Sequence, residues 1–293
     1  MSKISYFIEE SVKRSKNFLS DCYSLGKWAY KYLRYQHFRN EIIREEKQKP
    51  LFVLGNGPSL SALIDSPIER DQISICTVNF SVLTDSFLQL KPDMHVFAEV
   101  EFFDLSDPEI RHLFDYLIEK VDWRMELYAP YGVPDSAIRE LGRNKNIVIC
   151  RFPVEQLNIK GKLLKRLEYS FYRKGVAAPF VMNVIVGCIY CGINRGYKKL
   201  YLYGVDHSWM NDIYVGPDNQ VYLVDRHYYG VEKRLWYNSA TGRSFTMFDL
   251  YSNFARLYDS YIRLQGYVTW LRDVEVINRT PESFIDVFPK EIV

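Results

Sequence analysis

The chain has 293 residues, 47% hydrophobic and 25% charged, with 38 Lys/Arg against 36 Asp/Glu and a net charge of +2. This composition excludes disorder, a collagen-like repeat and a disulfide-stapled mini-scaffold, and the near-neutral balance excludes a general nucleic-acid binder. The 23 Tyr, 18 Phe and 5 Trp supply more rings than a core alone demands, which favours a site that stacks on rings and hydrogen-bonds at their tips.

Residues 1–50 stand apart. They hold 11 Lys/Arg against 6 Asp/Glu, a surplus of +5, which leaves −3 for residues 51–293. Apolar and aromatic residues recur there at three- and four-residue spacing (Phe7, Val12, Phe18, Leu19, Tyr23, Leu25, Trp28, Leu33, Phe38, Ile42), and no proline precedes Pro50. The pattern predicts an amphipathic helical arm in two pieces broken near Gly26. Such an arm either lies on an anionic membrane surface or packs on the core or another subunit. The first 20 residues carry Glu9, Glu10, Lys13, Arg14 and Lys16 and no apolar targeting segment, so the chain is expected to stay inside the cell.

From residue 51 strands alternate with helices. Apolar runs at Leu51–Leu54, Ile73–Val78, His95–Ala98, Ile147–Cys150 and Lys199–Tyr203 predict strands, and 179–194 predicts a buried helix stopped by Gly196. Cys188 and Cys191 have CxxC spacing, but with no second pair or histidine cluster they read as small residues of that helix. The alternation implies an α/β fold with a doubly wound, mostly parallel Rossmann-like sheet behind the helical arm, spanning 51–293 with a lid around 207–245. Ligands bind such sheets at the carboxyl ends of the strands, where Asn56, Asn79, Glu99, Glu101 and Asp206 fall.

The sharpest motif is Leu54-Gly-Asn-Gly-Pro-Ser-Leu60. Gly55 and Gly57 after a first strand let the backbone approach a phosphate, Asn56 can donate and accept, and Ser59 opens the next helix. The turn is neither a dinucleotide fingerprint nor a P-loop. A tight strand–helix turn capped by Ser59 is the plainer alternative.

That motif resembles the opening of the Campylobacter-type bacterial sialyltransferases, and is similar to the motility-associated-factor transferases and the archaeal MptE-like pterin diphosphokinases. Val78-Asn79-Phe80 resembles the second nucleotide contact of the sialyltransferases, and Gly196-Tyr-Lys-Lys-Leu-Tyr-Leu-Tyr-Gly-Val-Asp206 resembles their GYKEIYLSGID segment. Val276-Ile-Asn-Arg-Thr-Pro-Glu-Ser283 resembles their C-terminal strand and turn. The resemblance implies that Gly55, Asn56, Gly57, Ser59 and Asn79 bind the nucleotide. It further implies that Tyr214 and Arg173 hold the donor phosphate, with Ser208 where the family has another phosphate-binding tyrosine. Of the family's two histidines in this region, the chain keeps the first, His227.

Sugar transfer needs a base to take the acceptor proton. His37, His95 and His112 fall in the arm, a strand and a charged helix, and read as structural. His207 and His227 fall in polar, tyrosine-rich loops and are the candidate bases, His227 first. Glu99, Glu101 and Asp206 are expected to bind sugar or acceptor hydroxyls. The expected function is metal-independent glycosyl transfer, without cofactor, from a CMP-nonulosonic acid or related sugar nucleotide to a surface-polysaccharide or lipopolysaccharide acceptor. The expected partners are therefore a nucleotide sugar and a glycan or glycolipid, with peripheral membrane contact through residues 1–50, no nucleic acid, and homo-oligomerisation left open. The alternatives are an MptE-like diphosphokinase using ATP and Mg²⁺, and a non-catalytic membrane-associated nucleotide-binding scaffold.

Overall fold

Seven short strands, apolar on both faces, can be satisfied only between two layers of helix, and that is the arrangement found. The structure is a computed structural model and describes residues 3–35, 41–42, 44–65, 69–154, 156–162, 164–237 and 242–291. The central strands are β1 (Leu51–Leu54), β2 (Ser74–Val78), β3 (Met94–Val96), β4 (Met125–Pro130), β5 (Ile147–Phe152) and β6 (Lys199–Tyr203). A small outlying sheet holds β7 (Ile213–Val215), β8 (Val221–His227) and β9 (Gly230–Leu235), and β10 (Glu275–Asn278) returns to the main sheet. The helices are α1 (Lys3–Tyr35), α2 (Ser61–Ile64), α3 (Asp85–Leu90), α4 (Pro108–Lys120), α5 (Asp135–Leu141), α6 (Lys165–Lys174), α7 (Val184–Arg195) and α8 (Met247–Leu271). The main sheet runs β10-β6-β1-β2-β3-β4-β5, every neighbouring pair parallel. This is the doubly wound Rossmann-like fold that the sequence predicts.

Local chemistry explains the boundaries. The predicted buried helix starts later than its apolar run, because Asn183 caps α7: its Oδ1 accepts from the Ile185 N–H at 2.9 Å. Gly196, at φ +119°, ends it. Cys188 and Cys191 are fully buried in α7, and burial pushes both thiols well above their ordinary pKa. Strand β4 carries Glu126 toward Arg195 of α7, whose Nε and Nη2 reach the carboxylate at 2.8–3.0 Å.

The arm departs from expectation at Gly26. Helix α1 runs unbroken for 33 residues, about 50 Å. It docks on the core by specific contacts. The buried Asp21 carboxylate accepts from the backbone N–H groups of Lys160 (2.7 Å) and Gly161 (2.9 Å). Trp28 Nε1 donates to the Val176 carbonyl at 2.9 Å, and its ring packs on Phe171 at 4.5 Å. Phe18, Leu19, Tyr23 and Leu33 remain exposed along the same helix. Among the described residues, no helix is long and apolar enough to cross a membrane.

Candidate functional site

The chain leaves β1 toward β2 and β5 on one side, then crosses back to lay β6 on the other side of β1. The connections that follow β1 and β6 therefore lead to opposite sides of the sheet, which makes a topological switch point at their carboxyl ends, where doubly wound sheets bind ligands. A cavity sits there, walled by Gly55–Pro58 after β1, Asn79 after β2, Gly204 and Asp206–Trp209 after β6, the first residues of α7, Asp212 just before β7, and Arg226 and His227 of the small sheet.

The glycines of the β1 turn serve a different neighbour from the phosphate the sequence suggests. A Cβ on Gly55 would lie 2.4 Å from the Gly204 carbonyl oxygen, and one on Gly57 1.9 Å from Asp206 Oδ2. Gly55 N–H donates to the Tyr203 carbonyl and Gly57 N–H to that of Gly204, each at 2.8 Å. The small residues thus let the turns after β1 and β6 cross in contact. Ser59 Oγ donates to Asp206 Oδ2 at 2.8 Å, and Ser59 N–H faces Oδ1 at 3.4 Å. The anion at this turn is the protein's own Asp206. Burial lifts its carboxyl above the ordinary value, while the Ser59 hydrogen bonds pull the other way.

Asn56 and Asn79 do meet in the cavity. Asn56 Nδ2 donates to the Tyr229 hydroxyl at 3.2 Å, yet its Oδ1 is buried with no hydrogen-bond partner. Asn79 sits in the left-handed region (φ +49°), and its Oδ1 is likewise buried without a partner. A buried unsatisfied acceptor costs about 1–3 kcal/mol, so the site keeps two costly acceptors pointing at no protein donor.

Opposite them stands the N-terminal end of α7. Asn183, Val184 and Ile185 line the cavity, so the positive end of a 12-residue helix dipole faces it. Sequence reasoning missed this wall, although an asparagine before an apolar run is a cap signal.

The two histidines occupy different environments. His207 is buried and left-handed (φ +54°), its Nε2 lies 2.7 Å from the Tyr261 hydroxyl, and burial pulls its pKa down to about 3. His227 ends β8 with its side chain 31% exposed, and its Nε2 lies 3.5 Å from the buried Asp225 carboxylate. Its ring stacks on Tyr229 at 5.0 Å. The two-residue turn Tyr228–Tyr229 then docks on the β1 turn: Tyr228 N–H donates to the Asn56 carbonyl at 3.0 Å. The Tyr228 hydroxyl shares hydrogen bonds with Thr84 Oγ1 and Ser86 Oγ, both at 3.1 Å. This hairpin lies within the 207–245 segment and is fastened to the β1 turn and to the segment after β2. Beneath it the cavity measures only about 100 Å³, against roughly 300–1,000 Å³ for typical ligand sites.

Ser208 lines the cavity as well. Arg173 does not. It ends α6 beside Tyr267, and its carbonyl takes a hydrogen bond from Arg44, which also bonds the Asn194 side chain at 3.0 Å. Asn194 lies eleven residues along α7 from Asn183, about 16 Å away at 1.5 Å per residue. The structure therefore corrects the placement of Arg173: it belongs to the C-terminal end of α7, away from the cavity. The one Lys or Arg among the described lining residues is Arg226, held bidentate by Asp212 at 3.0–3.1 Å. Tyr214 also lies outside the cavity wall. It stacks on Tyr222 at 5.5 Å, under the Lys233 ammonium. Glu99 and Glu101 are exposed at the end of β3 and do not reach the cavity. His95 is buried, with Nδ1 2.8 Å from Thr77 Oγ1 and its pKa pulled down to about 3. His112 is exposed on α4, and His37 lies outside the described residues.

No protein-family model matches the chain, and no curated protein matches its sequence. Among solved structures, it is similar to the MAf glycosyltransferase from Magnetospirillum magneticum AMB-1, at 14% identity and a TM-score of 0.49. That likeness covers 87% of this chain and 36% of the other, so the chain spans about a third of that protein's length.

Proposed function

We propose that the chain is a glycosyltransferase that binds a nucleotide sugar at the β1/β6 crevice and passes the sugar to a glycan. The observation that carries this reading is the pair of buried, unpartnered amide oxygens of Asn56 and Asn79. Acceptors of this kind suit the exocyclic amine of a cytosine, in keeping with the CMP donor that the sequence resemblance implies. With Asp206 filling the β1 turn, the donor phosphate belongs at the α7 N-terminus, where N–H groups and Arg226 can take up the charge of the departing nucleotide.

In this reading the acceptor hydroxyl attacks the anomeric carbon, the bond to the phosphate oxygen breaks, and His227 takes the hydroxyl proton. Asp225 behind Nε2 orients the ring and stabilises the imidazolium, which leaves Nδ1 to act as base. His207, buried and weakly basic, shapes the wall. The sugar is a nonulosonic acid or a relative, and the acceptor a surface polysaccharide or lipopolysaccharide. The exposed Phe18, Leu19 and Leu33 beside the basic residues of α1 favour attachment to the inner face of a membrane.

Thermal-shift measurements with CMP, CDP, UDP, GDP and ATP, each with and without Mg²⁺, test the assignment. CMP alone should stabilise the fold by about 2–3 kcal/mol at a hundredfold excess over its Kd, and Asn56→Ala should abolish most of that gain. Stabilisation by ATP with Mg²⁺ alone would move the assignment to a diphosphokinase.

A further inference from the structure

A second concavity lies between α1 and the core and encloses about 520 Å³, five times the volume under the lid. Lys27, Lys31, Lys160 and Arg256 line it, and none of the described lining residues is acidic. Lys27, Lys160 and Arg256 have no ion-pair partner among the described residues; the Arg256 guanidinium lies over the Phe180 ring at 4.2 Å. Asp21, the buried acid beside the groove, is already bonded to two backbone N–H groups. Around the cations stand the exposed ring of Tyr23, the hydroxyl of Ser20 and the amide of Gln156. Rings that cover C–H faces, with hydroxyl and amide groups that pair with sugar hydroxyls, are the chemistry of carbohydrate recognition, and clustered ammonium and guanidinium groups select anionic substituents.

The groove also adjoins the first site. Phe180 lines the groove, and Asn183, three residues on, lines the cavity. Three residues of chain span at most about 11 Å. We propose that this groove holds the acceptor, an oligosaccharide bearing carboxylate or phosphate groups, with its reactive end toward the lid; the assignment as acceptor rests on the glycosyl-transfer reading.

The experiment is calorimetric titration of the full chain with trigalacturonic acid, with maltotriose phosphorylated at one hydroxyl, and with plain maltotriose. Nucleotide-induced stabilisation is measured on the same samples. The anionic trisaccharides should bind at least about tenfold more tightly than maltotriose, and less tightly as salt rises. Lys27→Ala and Arg256→Ala should each weaken them by about three- to tenfold. Equal affinity for maltotriose, or unchanged affinity in both variants, would overturn the groove. So would phosphatidylglycerol vesicles that bind the parent but neither variant while the trisaccharides bind nothing, because the cations would then serve a lipid surface. Groove binding that survives while no nucleotide binds would leave the anionic-glycan site standing and overturn glycosyl transfer.

Discussion

Tyr228→Phe isolates the fastening of the lid. The phenol hydroxyl bonds Thr84 and Ser86 at 3.1 Å each, and nothing else of the side chain is lost. Thr84 and Ser86 stay bonded to each other at 2.9 Å, and Thr84 to the Ser81 carbonyl at 2.7 Å, so removal strands no buried group. Two ordinary hydrogen bonds are together worth about 1–2 kcal/mol, which raises the open population of the lid by roughly 5–30-fold. The Tyr228 amide reports that opening directly, because its N–H is tied to the Asn56 carbonyl only while the lid is down. Its hydrogen exchange should accelerate by the same factor, with little change in the global unfolding midpoint. The cavity under the closed lid, about 100 Å³, is too small to admit a nucleotide, so association of CMP in stopped flow should quicken in parallel. Wild-type exchange at Tyr228 in the variant would refute the reasoning.

His227→Ala should lower turnover by about 10²–10⁴-fold while CMP affinity stays near wild type; a variant with full transfer rate removes His227 from the mechanism. Gly57→Ala places a methyl group 1.9 Å from Asp206 Oδ2 and forces that side chain off Ser59. A loss of about 3–5 kcal/mol in urea unfolding is expected, with loss of nucleotide binding. Buried His207 and His95 both stay neutral in the fold down to about pH 3, whereas the unfolded chain protonates them near 6.5. Stability therefore falls as pH drops through that window, by about 1.4 kcal/mol per pH unit for each histidine. His207→Asn tolerates the left-handed backbone and should remove one such share from the slope between about pH 6 and about pH 4, a difference that denaturant titrations would reveal or exclude.

Much of the frame was legible because its signals are local. Runs such as Leu51–Leu54 and Lys199–Tyr203 are apolar over a few residues, and the corresponding strands appear where read. Strand β4 escaped because Glu126 interrupts its apolar run, and the Arg195 that neutralises it stands 69 residues away. The 207–245 segment was not read as strands: only β8 alternates, burying Val221, Leu223 and Asp225, while the exposed residues of β7 and β9 blur the pattern. Asn56 and Asn79 could be picked from their positions at strand ends. Arg173 could not be excluded from sequence, since only the direction in which α7 runs shows it to be at the far end of that helix. Nor could Asp206 be known to occupy the β1 turn, because that contact crosses 147 residues.

The same separation has a consequence during synthesis. The β1 turn is completed by Asp206, 147 residues downstream, and Asn56 by Tyr229, 173 residues downstream. At about 5–20 residues per second, roughly 7–30 s pass between translation of Ser59 and of Asp206. In that interval β1 can pair with β2, but its other edge, destined for β6, stays open. An unpaired apolar strand edge is a template for joining other chains. A ribosome stalled before residue 199 thus holds a chain whose crevice is unfinished and whose β1 edge stays open to other chains until β6 arrives.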